Sequence, residues 1–275
     1  MKTAVFTSSA LRHRAFAKMC LENPRLNVDL IVYEKATEVS QQLTQRPCDM
    51  TTKHMHMRQI YEQDFFGLYL SNESALPSGA FYMDRGWIST DECLTQLRSR
   101  RISQILVYGT SILKGTILQE YNNKILNLHL GLSPYYRGSG TNYFPFVNNA
   151  PEYCGATIMY LDAGIDTGPI IHQLRPRINP SDTFHQLSNR FLIDAFKAYI
   201  DISELNLFSP LPLPAHNSIP GNYNQTRLLY KRRDFTESSV QQLYDNFNSG
   251  MIETYLDSYT SRTTTVPIIT HIPSN

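Results

Sequence analysis

Apolar residues in the first third of the chain fall into short blocks separated by helical stretches. Residues 3–6 (TAVF) run apolar and end in the polar cluster Thr7, Ser8 and Ser9, which predicts a strand and its loop. Residues 11–22 carry Phe16, Met19 and Cys20 at helical spacing, and residues 28–33 (VDLIVY) predict a second strand. A strand, a helix and a strand in that order predict a parallel sheet covered by helices. Residues 41–86 are the least regular part, and one amphipathic helix is expected there over about 57–66. Thr90 then reads as an N-cap, with Asp91 and Glu92 suited to the positive end of a helix reaching about residue 100.

Further along, residues 105–108 (ILVY) and 125–130 read as strands on either side of a helix over 112–121. Residues 157–161 and 169–173 read as a strand pair near an edge. Ser181 is expected to cap a helix whose stripe includes Phe184, Leu187, Phe191, Ala195, Phe196 and Ile200. The proline-rich stretch 209–221 breaks regular structure and reads as a linker. Beyond it Val240, Leu243, Tyr244 and Phe247 mark an amphipathic stretch in a small terminal unit. The expected organisation is an α/β domain over 1–205, with a mostly parallel sheet, and a linker plus C-terminal appendage over 206–275.

Composition narrows the function. Of 275 residues, 25 are Lys or Arg and 24 are Asp or Glu, a net charge of +1, which argues against a dedicated nucleic-acid partner. Cys20, Cys48, Cys93 and Cys154 include no CxxC pair, so neither a zinc site nor a disulfide framework is expected. No stretch approaches the roughly 18 apolar residues of a membrane span, and no signal peptide opens the chain, so no membrane partner and a cytoplasmic location are expected. The sequons at Asn72 and Asn224 then carry no meaning. His54 and His56, two apart in KHMHMR, could suggest a soft metal but read better as a solvated loop; no metal is expected. Lys231, Arg232 and Arg233 read as a solvated charge run and His172 as structural.

The chemistry concentrates between residues 127 and 168. In KILNLHL, Asn127 and His129 are two apart and share one face at a strand's end, where open parallel sheets bind ligands. A Gly/Pro/Ser-rich loop follows, and YLDAGIDTGPII adds Asp162 and Asp166 in a tight loop. An amide, an imidazole and a carboxylate brought together suit acyl transfer: the amide donates to a developing oxyanion and the other two handle charge and protons. Taken singly, such residues equally serve strand ends and turn caps.

NLHLGLSPYYRG followed by LDAGIDTGPII resembles the folate-dependent formyltransferase family, which includes glycinamide ribonucleotide transformylase, methionyl-tRNA formyltransferase and sugar-nucleotide N-formyltransferases. The resemblance spans about residues 1–200; it departs at HLGLSP, where many members read HPSLLP. It implies a Rossmann-like domain and catalytic residues Asn127, His129 and Asp166, with His129 protonated beside Asp166. It implies formyl transfer from N10-formyltetrahydrofolate, with no metal, and a pterin pocket at Tyr108, Ile112, Leu113, Leu161, Ala163 and Ile165. By position, Thr7, Ser8, Ser9, Arg12 and Arg137 are its substrate-binding candidates; Ile112 and Leu113 could instead be core, and Arg12 a surface residue.

The acceptor is expected to be a small-molecule primary amine, most simply a nucleotide-linked amino sugar. The tail is short and not basic enough for tRNA, while glycinamide ribonucleotide transformylases usually lack one. A formyltetrahydrofolate hydrolase and a non-catalytic folate- or nucleotide-binding module are the rival readings. The segment after residue 221 is expected to be dispensable for formyl chemistry but not for assembly or acceptor binding. Its apolar Leu243, Phe247, Ile252 and Tyr255 need a cover, which the main domain or a second subunit of a homodimer would supply.

Overall fold

In the computed structural model the described residues are 1–35, 49–71, 77–208 and 228–271. The proline-rich stretch 209–221, Cys48 and both sequons lie outside them. A seven-stranded sheet forms the centre. Its strands are β1 (Lys2–Ser8), β2 (Val28–Glu34), β3 (Ala80–Met83), β4 (Ile102–Tyr108), β5 (Ile125–His129), β7 (Ala156–Tyr160) and β8 (Ile170–Leu174), in the order β3-β2-β1-β4-β5-β7-β8. The first five pair in parallel, and β7 runs antiparallel to both β5 and β8. The mostly parallel sheet and its terminal strand pair therefore match expectation.

The inner strands are apolar on both faces because helices cover both sides. On one face Phe16, Phe66, Phe191, Phe196 and Tyr199 pack over Val5, Leu106 and Leu126. These rings come from α1 (Leu11–Glu22), α2 (Met50–Leu70) and α6 (Phe184–Phe208). On the other, α3 (Asp91–Arg100) and α4 (Thr116–Glu120) pack Leu94, Leu97 and Ile117 over Ala4, Phe6 and Ile105. Tyr199 ties α6 to the sheet, its hydroxyl donating to Leu126 O at 2.6 Å and accepting from Val107 N at 3.0 Å.

Three expectations about helices are corrected. The helix expected over 57–66 runs over 50–70, started by Asp49, whose carboxylate accepts from Thr52 N at 2.7 Å. It meets α1, α6 and a C-terminal helix, so its apolar residues are spread around it and no single stripe betrays its length. His54 accordingly sits in a helix, 4% exposed, and not in a solvated loop. The helix expected over 112–121 is only α4. The Glu34 carboxylate accepts from Ser111 N at 2.5 Å, Ser89 Oγ accepts from Lys114 N, and Gly115 has φ +76. Those contacts hold residues 109–115 as a loop. The cap of α6 is Thr183 rather than Ser181: Thr183 Oγ1 accepts from Gln186 N, and Gln186 Oε1 accepts from Thr183 N.

After β5 the chain forms β6 (Tyr136–Gly138) and α5 (Phe144–Val147). Past the undescribed stretch, β9 (Leu228–Tyr230) pairs in parallel with β6. Helices α7 (Glu237–Asn248), α8 (Met251–Asp257) and α9 (Tyr259–Thr264) complete the helices of the described residues. Val240, Leu243, Met251 and Ile252 share a third core with Leu132, Tyr143, Phe144 and Phe146. The cover for the terminal helices thus comes from the same chain. No described helix is long and apolar enough to cross a membrane.

Candidate active site

Strand alternation places Asn127 and His129 on one face of β5. Asn127 pairs with Val107 on one side and Met159 on the other, so its backbone is locked inside the sheet. Its side chain is half-buried and makes no hydrogen bond to a described residue. His129 is 6% exposed, and Nε2 donates to Tyr136 O at 2.9 Å. Its Nδ1 lies 3.4 Å from Asp166 Oδ2. Both ring nitrogens therefore face oxygen acceptors.

Asp166 is brought to the ring by the loop between β7 and β8. It adopts φ +50, a left-handed conformation that Asp tolerates better than most residues. Its Oδ2 also accepts from Gly138 N at 2.8 Å, and Ser133 Oγ donates to its carbonyl at 3.5 Å. Its Oδ1 makes no hydrogen bond to a described residue, and the side chain is 15% exposed. The second aspartate of the loop, Asp162, turns inward locally, its carboxylate accepting from Gly164 N and Thr167 Oγ1 at 2.9 Å.

The glycine-rich segment after His129 is bolted down from beneath. Thr157 Oγ1 donates to Gly131 O at 2.6 Å and accepts from Ser133 N at 3.0 Å. Gln173, 1% exposed, donates to Ser133 O at 2.7 Å. A Cβ on Gly131 would stand 2.5 Å from His129 Nε2 and 2.7 Å from Thr141 Cβ, so no larger residue leaves the ring its place. Gly131 and Ser133 are two of the positions where HLGLSP departs from HPSLLP, and both contact the site.

Beside the aspartate loop opens a cleft of about 690 Å³, lined by Leu118, Leu161, Ala163, Asn122, Asp162 and Thr167. Its mix of apolar walls and polar edges suits a flat heterocycle with hydrogen-bonding rims. Leu161 and Ala163 are thus at a cleft, and Ile112 (55% exposed) and Ile165 (45% exposed) present bare apolar side chains. Leu113 is 2% exposed within the sheet's core, and Tyr108 is 3% exposed among His13, Phe16 and Phe196. Neither offers a side chain to a ligand. Burial pushes the Tyr108 hydroxyl up to about 12, with the Arg12 cation opposing it.

The expected phosphate-side residues mostly serve the fold. Thr7 is fully buried and donates to Tyr108 O at 2.8 Å, and Ser8 Oγ donates to Glu34 O. Ser9 N donates to Glu34 O. Arg12, rather than lying on the surface, binds Glu62 at 2.5 Å, and Arg58 meets the same carboxylate at 2.8 Å. Burial works against the Arg12 charge, but Glu62 and Tyr108 more than offset it and hold the guanidinium charged. Arg137 differs. It makes no ion pair among the described residues, and its Nε is buried without a partner, one residue from the Gly138 amide that holds Asp166.

Two contributors escaped sequence reasoning. The Tyr136 carbonyl that receives His129 is a backbone group with no residue signature. Gly138 lies in the Arg-Gly motif, but its amide is aimed by φ +89, which only the fold displays. Among the described residues no group of three His, Cys, Asp or Glu could hold a metal.

Residues 87–202 match the formyl transferase family model, and the triad lies inside that span. Over that span the chain is similar to the formyl transferase family. The methionyl-tRNA formyltransferase of Desulforamulus reducens is 35% identical over 101 residues, covering 37% of this chain and 31% of that protein. The phosphoribosylglycinamide formyltransferase of Bacillus subtilis is 36% identical over 98 residues, 35% of this chain and 50% of that one. The chain therefore spans half or less of the length of these relatives. Solved structures agree in fold. Phosphoribosylglycinamide formyltransferase from Bacillus halodurans has a TM-score of 0.53 at 20% identity, covering 76% of this chain and 96% of its own. The formyltransferase PseJ from Anoxybacillus kamchatkensis, solved with UDP-4,6-dideoxy-4-formamido-L-AltNAc and tetrahydrofolate, has a TM-score of 0.51 at 16% identity. It covers 88% of this chain and 97% of its own.

Proposed function

We propose that the protein transfers a formyl group from N10-formyltetrahydrofolate to the primary amine of a small molecule, an amino sugar carried on a nucleotide. The observation that carries the reading is the meeting of Asp166 and His129 at 3.4 Å, beside the uncommitted amide of Asn127. The amine nitrogen bonds to the formyl carbon, the carbon–N10 bond breaks, and the proton lost by the amine ends on N10. The Asn127 amide donates to the oxygen that gains charge during attack. His129 is held beside that charge between Tyr136 O and Asp166 Oδ2. Asp166 Oδ1 is the open acceptor for the amine proton, directly or through one water.

The cleft beside Leu161 and Ala163 suits the pterin, and the exposed Ile112 and Ile165 are further apolar candidates for it; Arg137, unpaired among the described residues, is the cation for the acceptor's phosphates. The nucleotide-sugar acceptor is supported by the UDP-linked formamido sugar bound in PseJ and by the 88% of this chain which that structure covers. A cytoplasmic setting, with Cys20, Cys93 and Cys154 as free thiols, belongs to the same reading.

The test mixes the protein with N10-formyltetrahydrofolate, with and without a panel of amino-sugar nucleotides. Tetrahydrofolate release and product mass are followed. Release that requires an amine, with a mass gain of one formyl, is expected. Release without amine would make the protein a hydrolase, and no release with any acceptor would leave a binding module; either overturns the proposal.

A further inference from the structure

We infer that the C-terminal segment is a positioning part of the active site, and that Tyr230 on β9 sets the catalytic loop. This rests on the formyl-transfer reading for its activity arm only. The loop over 135–139 supplies two of the three oxygen or amide contacts around the His129–Asp166 pair: Tyr136 O to His129, and Gly138 N to Asp166. On its other edge that loop is paired entirely with β9. Leu228 N donates to Tyr135 O at 2.9 Å, and Ser139 N donates to Tyr230 O at 2.9 Å. The pairing opposes Tyr136 to Leu228, Arg137 to Leu229 and Gly138 to Tyr230. The fit is tight enough that a Cβ on Gly138 would stand 2.1 Å from Tyr230 O.

The Tyr230 side chain fixes β9 in turn. Its ring stacks on Phe144, with centroids 3.7 Å apart at 7°, and lies over Tyr136 at 5.8 Å and 15°. Asn148 Nδ2 donates both to the Tyr230 hydroxyl at 2.7 Å and to the Tyr136 hydroxyl at 2.8 Å. A second tie comes from the chain's last described residues: Gln173, which holds Ser133, donates from its backbone to Ile269 O and accepts from Ile269 N. The segment expected to stand apart from the chemistry instead braces it from two sides. A two-stranded ribbon of three residues per strand is too short to hold itself, so the ring stack supplies the rigidity.

The experiment compares Tyr230→Ala with Tyr230→Phe in the full chain. Tyr230→Ala is expected to lower kcat on the order of 10- to 100-fold, as a sub-ångström to one-ångström misplacement does, with the donor KM within about two-fold. Tyr230→Phe keeps the stack and is expected to restore most of the loss. Independently of any turnover, nitrogen-15 spectra of the free protein should show a slowly exchanging His129 Nε2 proton in the wild type and a fast one in Tyr230→Ala. If the wild type transfers no formyl group, that spectroscopic arm still decides the inference. Should Tyr230→Ala fail to fold, Tyr230→Leu keeps an apolar filling, and amide exchange at Gly138 and Ser139 is read instead; faster exchange is expected. A folded variant lacking the ring whose His129 proton, amide exchange and kcat match the wild type would overturn the inference.

Discussion

Lowering the pH from 7 to 5 should strongly destabilise this protein through four buried histidines, His13, His54, His172 and His185, each 5% exposed or less. Burial holds His54 down at about 3, with the His185 ring adding to the effect. Burial likewise places His185 at about 4 against a small opposing pull from Glu62, and His172 at about 4 with help from His271. His13 lies well below its ordinary value, by burial first and by the Arg12 charge second. Folded-state values below the unfolded 6.5 mean that the unfolded chain binds more protons, so stability rises with pH across this window and is lost as pH falls. One histidine costs about 1.4 kcal/mol per pH unit once below 6.5, or about 2 kcal/mol between pH 7 and 5. Four cost about 8 kcal/mol, comparable to the roughly 5–15 kcal/mol that holds a typical domain together. Urea unfolding at pH 7, 6 and 5 reads the slope directly. His54→Phe, placed in the ring cluster of Tyr143, Phe184 and Phe235, should shrink the loss between pH 7 and 5 by about 2 kcal/mol, even though it forfeits the hydrogen bond to Tyr244. A wild-type stability that stays flat between pH 7 and 5, or a variant with the wild-type slope, would refute the reasoning.

On the proposed formyl-transfer reading both groups act on the transition state, so His129→Asn or Asp166→Asn should reduce kcat by about 10²- to 10⁴-fold while leaving donor affinity within about two-fold; steady-state kinetics and donor titration separate the two. Gly131→Ala should displace the His129 ring, because its Cβ would stand 2.5 Å from Nε2 and 2.7 Å from Thr141. A stability loss of about 1–3 kcal/mol in urea and a lowered kcat are expected together, and an unchanged variant would mean that the ring sits elsewhere.

The sheet was legible because its evidence is local. Residues 3–6, 28–33 and 105–108 are apolar runs that two covered faces demand, and the cap at Thr90 lies where Asp91 and Glu92 point. Asn127 and His129 were legible for the same reason: alternation along one strand suffices to put them together. What failed was whatever depends on partners distant in the chain. The length of α2 is set by neighbours on several sides, and α4 starts late because Glu34, 77 residues away, claims the Ser111 amide. The family resemblance implies Leu113 and Tyr108 as ligand contacts, but the packing of both faces buries them. Arg12 reads as free until Glu62, 50 residues on, closes over it.

The departures from the family text and the tail belong to one physical problem. On the proposed reading, a carboxylate and an imidazole must be held against each other while one oxygen and one amide are left open for reactants. The sheet can aim Asn127 and His129 but not Asp166, which arrives on a loop with a left-handed backbone. Holding that loop requires donors at fixed places, and Gly138 N and Ser133 Oγ provide them only while the 131–139 segment is itself immobile. Thr157 and Gln173 pin its beginning from inside the sheet, buried where their hydrogen bonds meet no competing water. Its end lies beyond the sheet's reach, and there β9 and the Tyr230 stack take over. Ser133, unusual in the loop text, is then the link between the two supports. Ser133→Ala should free the Asp166 carbonyl, and the resulting loss should appear in kcat rather than in donor binding.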